Sequence, residues 1–204
     1  MKLLIASTNR GKLREIQAVL GELPFELLLP ADLGLDLKVE ETGDTYAENA
    51  ALKARAYRQA SGLLTLADDS GLEVDALGGA PGLHSARFSP MPGATDADRR
   101  ALLLDALKSH PVPPQKPGWP AHFHCTVAIA LPSGTLHHAD GRCDGYIISE
   151  ERGENGFGYD PIFFIAEQQA TMAELPSEIK NRISHRARAL QAALPILHQL
   201  LRTG

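Results

Sequence analysis

Ala67, Asp68, Asp69, Ser70, Gly71 and Leu72 set two carboxylates side by side directly after the apolar run Leu63 to Leu66. That run is short and bounded by Gly62 and an Asp/Ser/Gly cluster, which predicts a buried strand ending at the acidic pair. Ligands of open α/β sheets gather at the carboxyl ends of strands. Two carboxylates facing such a crevice repel each other and resist desolvation unless a cation or basic groups neutralise them. Magnesium is the usual cation in that role. The same residue types also open turns by bonding the backbone two residues on, so the pair has to be weighed with the other polar segments.

Ser7, Thr8, Asn9, Arg10, Gly11 and Lys12 offer hydroxyls, an amide, backbone N–H groups and a lysine at the start of a predicted helix, all complementary to phosphate oxygens. This is not a Walker loop, because Leu13 stands where the magnesium-binding hydroxyl belongs. A helix cap with a solvated lysine explains it as well. Glu40 and Glu41 could complete a magnesium site with the acidic pair, since magnesium takes few carboxylates and fills its other positions with water and phosphate oxygens. A charged loop is the alternative. Asn49 and Lys53 lie four apart on one helix face, so the lysine can project toward the same phosphate-bearing groove.

Phe157 and Tyr159 sit among glycines, where their rings could stack on a base, and Asp160 before Pro161 is held extended. A loop closed by its own aromatics competes with that reading. Lys180, His185 and Arg186 supply donors, and arginine, which cannot accept a hydrogen bond, favours a keto oxygen over an amine. His122 and His124 share a strand face, with His137 and His138 on the next strand. A transition-metal site there lacks a clearly placed carboxylate or cysteine, so surface or half-buried histidines are expected.

These groups need elements to hold them, and the chain alternates strand and helix. Lys2 to Ala6 reads as a strand, and Leu13, Ile16, Val19 and Leu20 repeat at helical spacing. Thr45 and Glu48 form a capping box for a helix that reaches Gly62. Thr95 caps another, from Asp96 to about Lys108. Five prolines between Pro111 and Pro120, with Gly118, mark an irregular connection between two halves. The second half is sheet-rich: Phe123 to Leu131 alternates, and Thr135 to Ala139, Gly145 to Ser149 and Ile162 to Ile165 follow as strands. Ser184 caps a final helix, with Pro195 a predicted kink.

A chain of 204 residues with ordinary apolar and charged content predicts one α/β domain, 1–204, of two lobes. No apolar run is long enough for a signal peptide or a membrane span, which predicts a cytoplasmic protein. Cys125 and Cys143 lack the spacing of a zinc site or a disulfide framework and are expected to be reduced core residues. A net charge of -5 argues against polynucleotide binding, which needs clustered Lys and Arg, but leaves nucleotide monomers open.

The ordered set Ser7, Thr8, Asn9 with Lys12; Glu40 to Gly43; Ala67 to Leu72; Gly79 to Gly82 with Ser85, Ala86, Arg87; Phe157 to Pro161; and Ser184, His185, Arg186 resembles the inosine and xanthosine triphosphate pyrophosphatases, which act on non-standard purine nucleoside triphosphates. The likeness covers nearly the whole chain. It implies a two-lobed α/β fold around a long mixed sheet flanked by helices, with the active site in the groove between lobes, and a homodimer. It also implies magnesium-dependent cleavage between the α and β phosphates. Carried over, Glu40 and Asp69 hold magnesium, Asp69 activates water, and Asp68 stands behind it. Ser7 to Lys12, Lys53, Ser70 and Lys180 hold the triphosphate. Phe157 stacks on the purine within the Phe157, Gly158, Tyr159 loop, and Asp160, His185 and Arg186 lie near its polar edge.

Three other readings use some of these parts. A receiver-type signalling domain has an acidic pair and a lysine around magnesium, but this chain is far longer and leaves Phe157 to Pro161 without a purpose. A nucleotide-binding module without catalysis would keep the lysines and the aromatic, and Glu40 and Asp69 argue for more. A Maf-like pyrophosphatase acting on pyrimidine nucleotides is expected to open with a serine, a proline and arginines, whereas this chain has Asn9 and Lys12.

Overall fold

The computed structural model describes residues 1–203 of the expected 1–204 span, so of that span only Gly204 lies outside the described residues. Its strands are β1 (Lys2–Ile5), β2 (Glu26–Leu28), β3 (Leu64–Val74), β4 (Pro81–Gly82), β5 (Trp119–Ala130), β6 (Leu136–Ile147), β7 (Phe163–Ile165) and β8 (Ala170–Thr171). The helices are α1 (Arg10–Leu20), α2 (Tyr46–Ser61), α3 (Asp96–Leu107), α4 (Ser177–Ile183) and α5 (His185–Thr203). The strands form one sheet in the order β2-β1-β3-β5-β6-β7-β8, with β4 paired to β3. β1 is parallel to both β2 and β3, while β4, β7 and β8 pair antiparallel with their neighbours. The fold is therefore mixed α/β around a long mixed sheet.

Contacts divide the chain into two compact units. The first comprises residues 1–70, 125–142 and 184–204, and the second 71–124 and 143–183. Because β3, β5 and β6 each contribute to both, the boundary falls inside strands. The proline-rich stretch 111–120, read as a connection between halves, lies within the second unit. The first unit buries Leu3, Ile5, Ile16, Leu66, Val127, Ile129, Leu190 and Leu197 in one cluster, and Leu4, Ala50, Ala54 and Ala67 in another. The second is built on Leu72, Leu103, Leu107, Phe123, Ile147, Phe163 and Met172.

Local caps decide where the helices start. Thr45 Oγ1 accepts from the Glu48 N–H at 3.1 Å and Glu48 answers on the Thr45 N–H, so α2 opens where the capping box predicts. It closes at Gly62, whose φ of 71° is left-handed. Ser184 Oγ accepts from the Ala187 N–H at 3.2 Å and starts α5, which continues through Pro195.

Two strand expectations change. β3 does not end at Leu66 but runs on through Asp68, Asp69 and Ser70 to Val74. Successive strand side chains point in opposite directions, so Asp68 and Asp69 meet different nearest cations, although the charges of Lys12 and Lys53 reach both. The segments Thr135 to Ala139 and Gly145 to Ser149 are one strand, β6, that passes through Gly141. A Cβ at Gly141 would lie 2.2 Å from both the His185 carbonyl oxygen and the Ala189 nitrogen. Only glycine admits that approach of strand and helix, and it sets the first turn of α5 against the sheet.

Candidate active site

Asp68 is buried on one face of β3, and its Oδ2 collects three donors. Lys12 Nζ is 3.0 Å away, Arg186 Nε 3.1 Å, and the Cys125 thiol 3.9 Å. Arg186, 1% exposed, also donates through Nη1 to Glu15 and through Nη2 to Ser70 Oγ at 2.9 Å. Burial alone would raise the Asp68 pKa, but the charges of Lys12, Arg186 and Lys53 outweigh it and hold the carboxyl well below the usual range. Its second oxygen, Oδ1, is buried without a hydrogen-bond partner.

Asp69 answers to a different lysine. Lys53 Nζ lies 3.2 Å from Asp69 Oδ1 and 3.0 Å from Glu41 Oε1, which ties α2, β3 and the segment before α2 together. Here burial prevails: with Glu41 and Asp68 adding negative charge, it raises the Asp69 pKa above the usual carboxylate range despite the pull of Lys53 and Lys12. Two neighbouring carboxyls are thus driven in opposite directions, one locked as an anion and the other able to take a proton. Divergent pairs of this kind are how a fold separates a fixed charge from an acid–base group.

The Ser7 to Lys12 segment is a finished cap. Asn9 Oδ1 accepts from the N–H groups of Gly11 at 2.9 Å and Lys12 at 3.1 Å, and Ser7 Oγ accepts from the Asn9 N–H. Thr8 and Arg10 are exposed beside it. Of the two glutamates before α2, Glu41 is the one on Lys53, whereas Glu40 is exposed.

In the second unit Asp160 Oδ2 accepts from the Phe157 N–H at 2.8 Å and from Lys180 Nζ at 2.5 Å, and the Lys180 ammonium lies 5.0 Å from the centre of the Phe157 ring. Phe157 is half-buried. Gly158 has a left-handed φ of 63°, which lets the loop turn directly after it.

Three expected ligand contacts are taken up inside the protein. Tyr159 is a core side chain whose hydroxyl donates to the Ser85 carbonyl at 2.9 Å, because its ring completes the apolar cluster of the second unit. Lys180, expected on the triphosphate, is buried against Asp160. Arg186, expected at the purine edge, is held by Glu15, Asp68 and Ser70, since a buried guanidinium needs countercharge. His185 is buried at the start of α5. His122 pairs with Glu73 at 3.3 Å, and among the described residues no three His, Cys, Asp or Glu side chains gather as a metal site.

Glu15, which the sequence did not single out, is a buried countercharge of Arg186. It stands three positions after Lys12 on α1, on the same face, and that spacing of opposite charges was the available signal. The carboxylates nonetheless suit magnesium, which needs only one or two of them beside phosphate oxygens and water. Asp69 and Glu41 meet at one lysine, and hard oxygen donors of this kind fit the ion.

The fold and this cluster define a mixed α/β protein equipped for phosphate chemistry. A profile of the Ham1 family matches residues 3–196, and the chain belongs to that family. It is 46% identical over 200 residues to a dITP/XTP pyrophosphatase of Desulforamulus reducens, covering 98% of this chain and 97% of that one. It is 49% identical over 189 residues to one from Geobacter sulfurreducens, covering 93% and 92%. Among solved structures it matches a HAM1 protein from Coxiella burnetii with a TM-score of 0.85 at 39% identity, over 98% of this chain and 99% of that one.

Proposed function

We propose that this chain hydrolyses non-standard purine nucleoside triphosphates, dITP, ITP and XTP, to the monophosphate and pyrophosphate. The observation that carries the reading is the pair of lysine-bound carboxylates on β3, Asp68 on Lys12 and Asp69 on Lys53, with Glu41 on the same lysine as Asp69. The names of the relatives at 46% and 49% identity support the substrate class.

In this mechanism Asp69 takes the proton of a water whose oxygen bonds to the α phosphorus. The bond from that phosphorus to the oxygen bridging the α and β phosphates breaks, and pyrophosphate leaves with that oxygen. Lys12 and Lys53, with Ser70 and the exposed hydroxyl of Thr8, hold phosphate oxygens, and Asn9, Arg10 and Gly11 frame them. Asp68 keeps Lys12 in place, and Arg186, backed by Glu15, keeps Asp68 ionised. Magnesium, when bound by Asp69 with the Glu40, Glu41 pair, would neutralise phosphate charge. Phe157 stacks on the purine. Asp160, which fixes the Phe157 N–H, and Lys180 set that ring, while His185 is the group offered to the polar edge. The protein acts in the cytoplasm as a homodimer.

Incubating the enzyme with dITP and magnesium and separating the products tests the reaction. Equal amounts of monophosphate and pyrophosphate are expected. Orthophosphate and a diphosphate would overturn the cleavage position.

A further inference from the structure

Both backbone polar groups of Gly158 are held by one turn of α3. Asp96 Oδ2 accepts from the Gly158 N–H at 2.8 Å, and Arg100 Nη1 donates to the Gly158 carbonyl at 2.8 Å. Residues four apart on a helix lie one above the other, so the two grip the peptide groups on either side of the Gly158 Cα as a fork. Both are themselves braced. Asp96 Oδ1 receives Arg99 Nη2 at 2.5 Å, and Arg100 is bidentate with Glu151 through Nε at 2.9 Å and Nη2 at 2.8 Å. Burial raises the Asp96 pKa, but the bonds from Arg99 and the Gly158 N–H outweigh it, and the carboxyl stays below its usual range.

Gly158 directly follows Phe157, whose own N–H is fixed by Asp160. The Phe157 backbone is thus tied at its nitrogen by Asp160 and through the next peptide by α3. An aromatic ring that stacks on a ligand gains affinity when its direction is fixed beforehand, because less freedom is lost on binding. Nothing in the sequence patterns that carry the family resemblance includes Asp96, Arg100 or Glu151.

We infer that Asp96 and Arg100 are positioning residues for Phe157, setting the direction in which its ring is offered to the base and so making α3 a determinant of base affinity. This rests on the assignment of Phe157 to the purine made above.

Steady-state kinetics on dITP, with inorganic pyrophosphate as a competitive inhibitor, test it in Asp96→Asn, Arg100→Gln, Phe157→Ala and the double variants with Phe157→Ala. Each α3 substitution is expected to raise KM about tenfold, the size of one lost charge-assisted hydrogen bond. The kcat and the inhibition by pyrophosphate should hold nearly constant. Arg100→Lys should recover part of the loss. In the Phe157→Ala background the α3 substitutions should add little, because residues acting through one group are not additive. Full additivity in that background, or an unchanged KM in both α3 variants while Phe157→Ala raises it, would overturn the inference. No effect of Phe157→Ala itself would instead remove the base assignment. If thermal unfolding shows that Asp96→Asn does not fold, Glu151→Gln, which loosens only Arg100, carries the same test.

Discussion

Asp68 and Asp69 are consecutive in β3 yet belong to separate ion pairs, Asp68 with Lys12 and Arg186 and Asp69 with Lys53. The pleat of the strand turns the two side chains apart, so each has its own nearest lysine. The burial common to both is answered by strong cations at Asp68 and only partly answered at Asp69.

Asp69→Asn is expected to lower kcat by about 10² to 10⁴ while triphosphate binding persists, as for loss of a general base. The wild-type kcat should rise with pH as Asp69 ionises, since the base must be unprotonated to accept the water's proton. Activity within about twofold of wild type in Asp69→Asn would place the base elsewhere.

Asp68 should govern acid stability. Its depressed pKa means that its contribution is complete above the ordinary Asp value and is lost as pH falls below it toward the folded-state value. Asp68→Asn takes one of the two countercharges from buried Arg186 and the carboxylate from Lys12, at a cost of about 1 to 3 kcal/mol near neutrality. Urea titrations of both proteins across acid pH check this, and a variant as stable as wild type at neutral pH would show that the pairs contribute nothing.

Arg186→Ala should damage the first unit without changing selectivity. It leaves Glu15 and Asp68 buried without their shared countercharge, so kcat/KM for ITP and for ATP should fall by the same factor. A narrowing of the ratio between them would return Arg186 to the purine edge that the sequence suggested.

The two glutamates can be told apart by magnesium titration. Glu41→Gln, which removes the carboxylate on Lys53 beside Asp69, should raise the magnesium needed for half-maximal rate more than Glu40→Gln, whose side chain is exposed. The reverse order would restore Glu40 as the ligand carried over from the resemblance.

What the sequence revealed was local. Thr45 with Glu48, Thr95 and Ser184 announced their helices because a cap is a contact within four residues. The true length of β3 was hidden, because its charges look like a strand end until the cations that neutralise them are known. The decisive one is distant: Arg186 lies 118 positions from Asp68. Arg186 read as a free donor and Tyr159 as a ligand aromatic for the same reason, since their partners come from remote segments. The acidic pair, Lys12 and Lys53 were legible as a group, but the opposite environments of Asp68 and Asp69 emerged only from their neighbours in space.

Selective hydrolysis of purines with a six-keto group is most directly tested by kcat/KM, read as pyrophosphate release, for dITP and XTP against ATP under saturating magnesium. A site that pairs with the keto oxygen leaves a buried group unpaired against adenine, at about 1 to 3 kcal/mol per contact. The predicted result is a preference of at least about tenfold for dITP and XTP. Equal values for all three would contradict it.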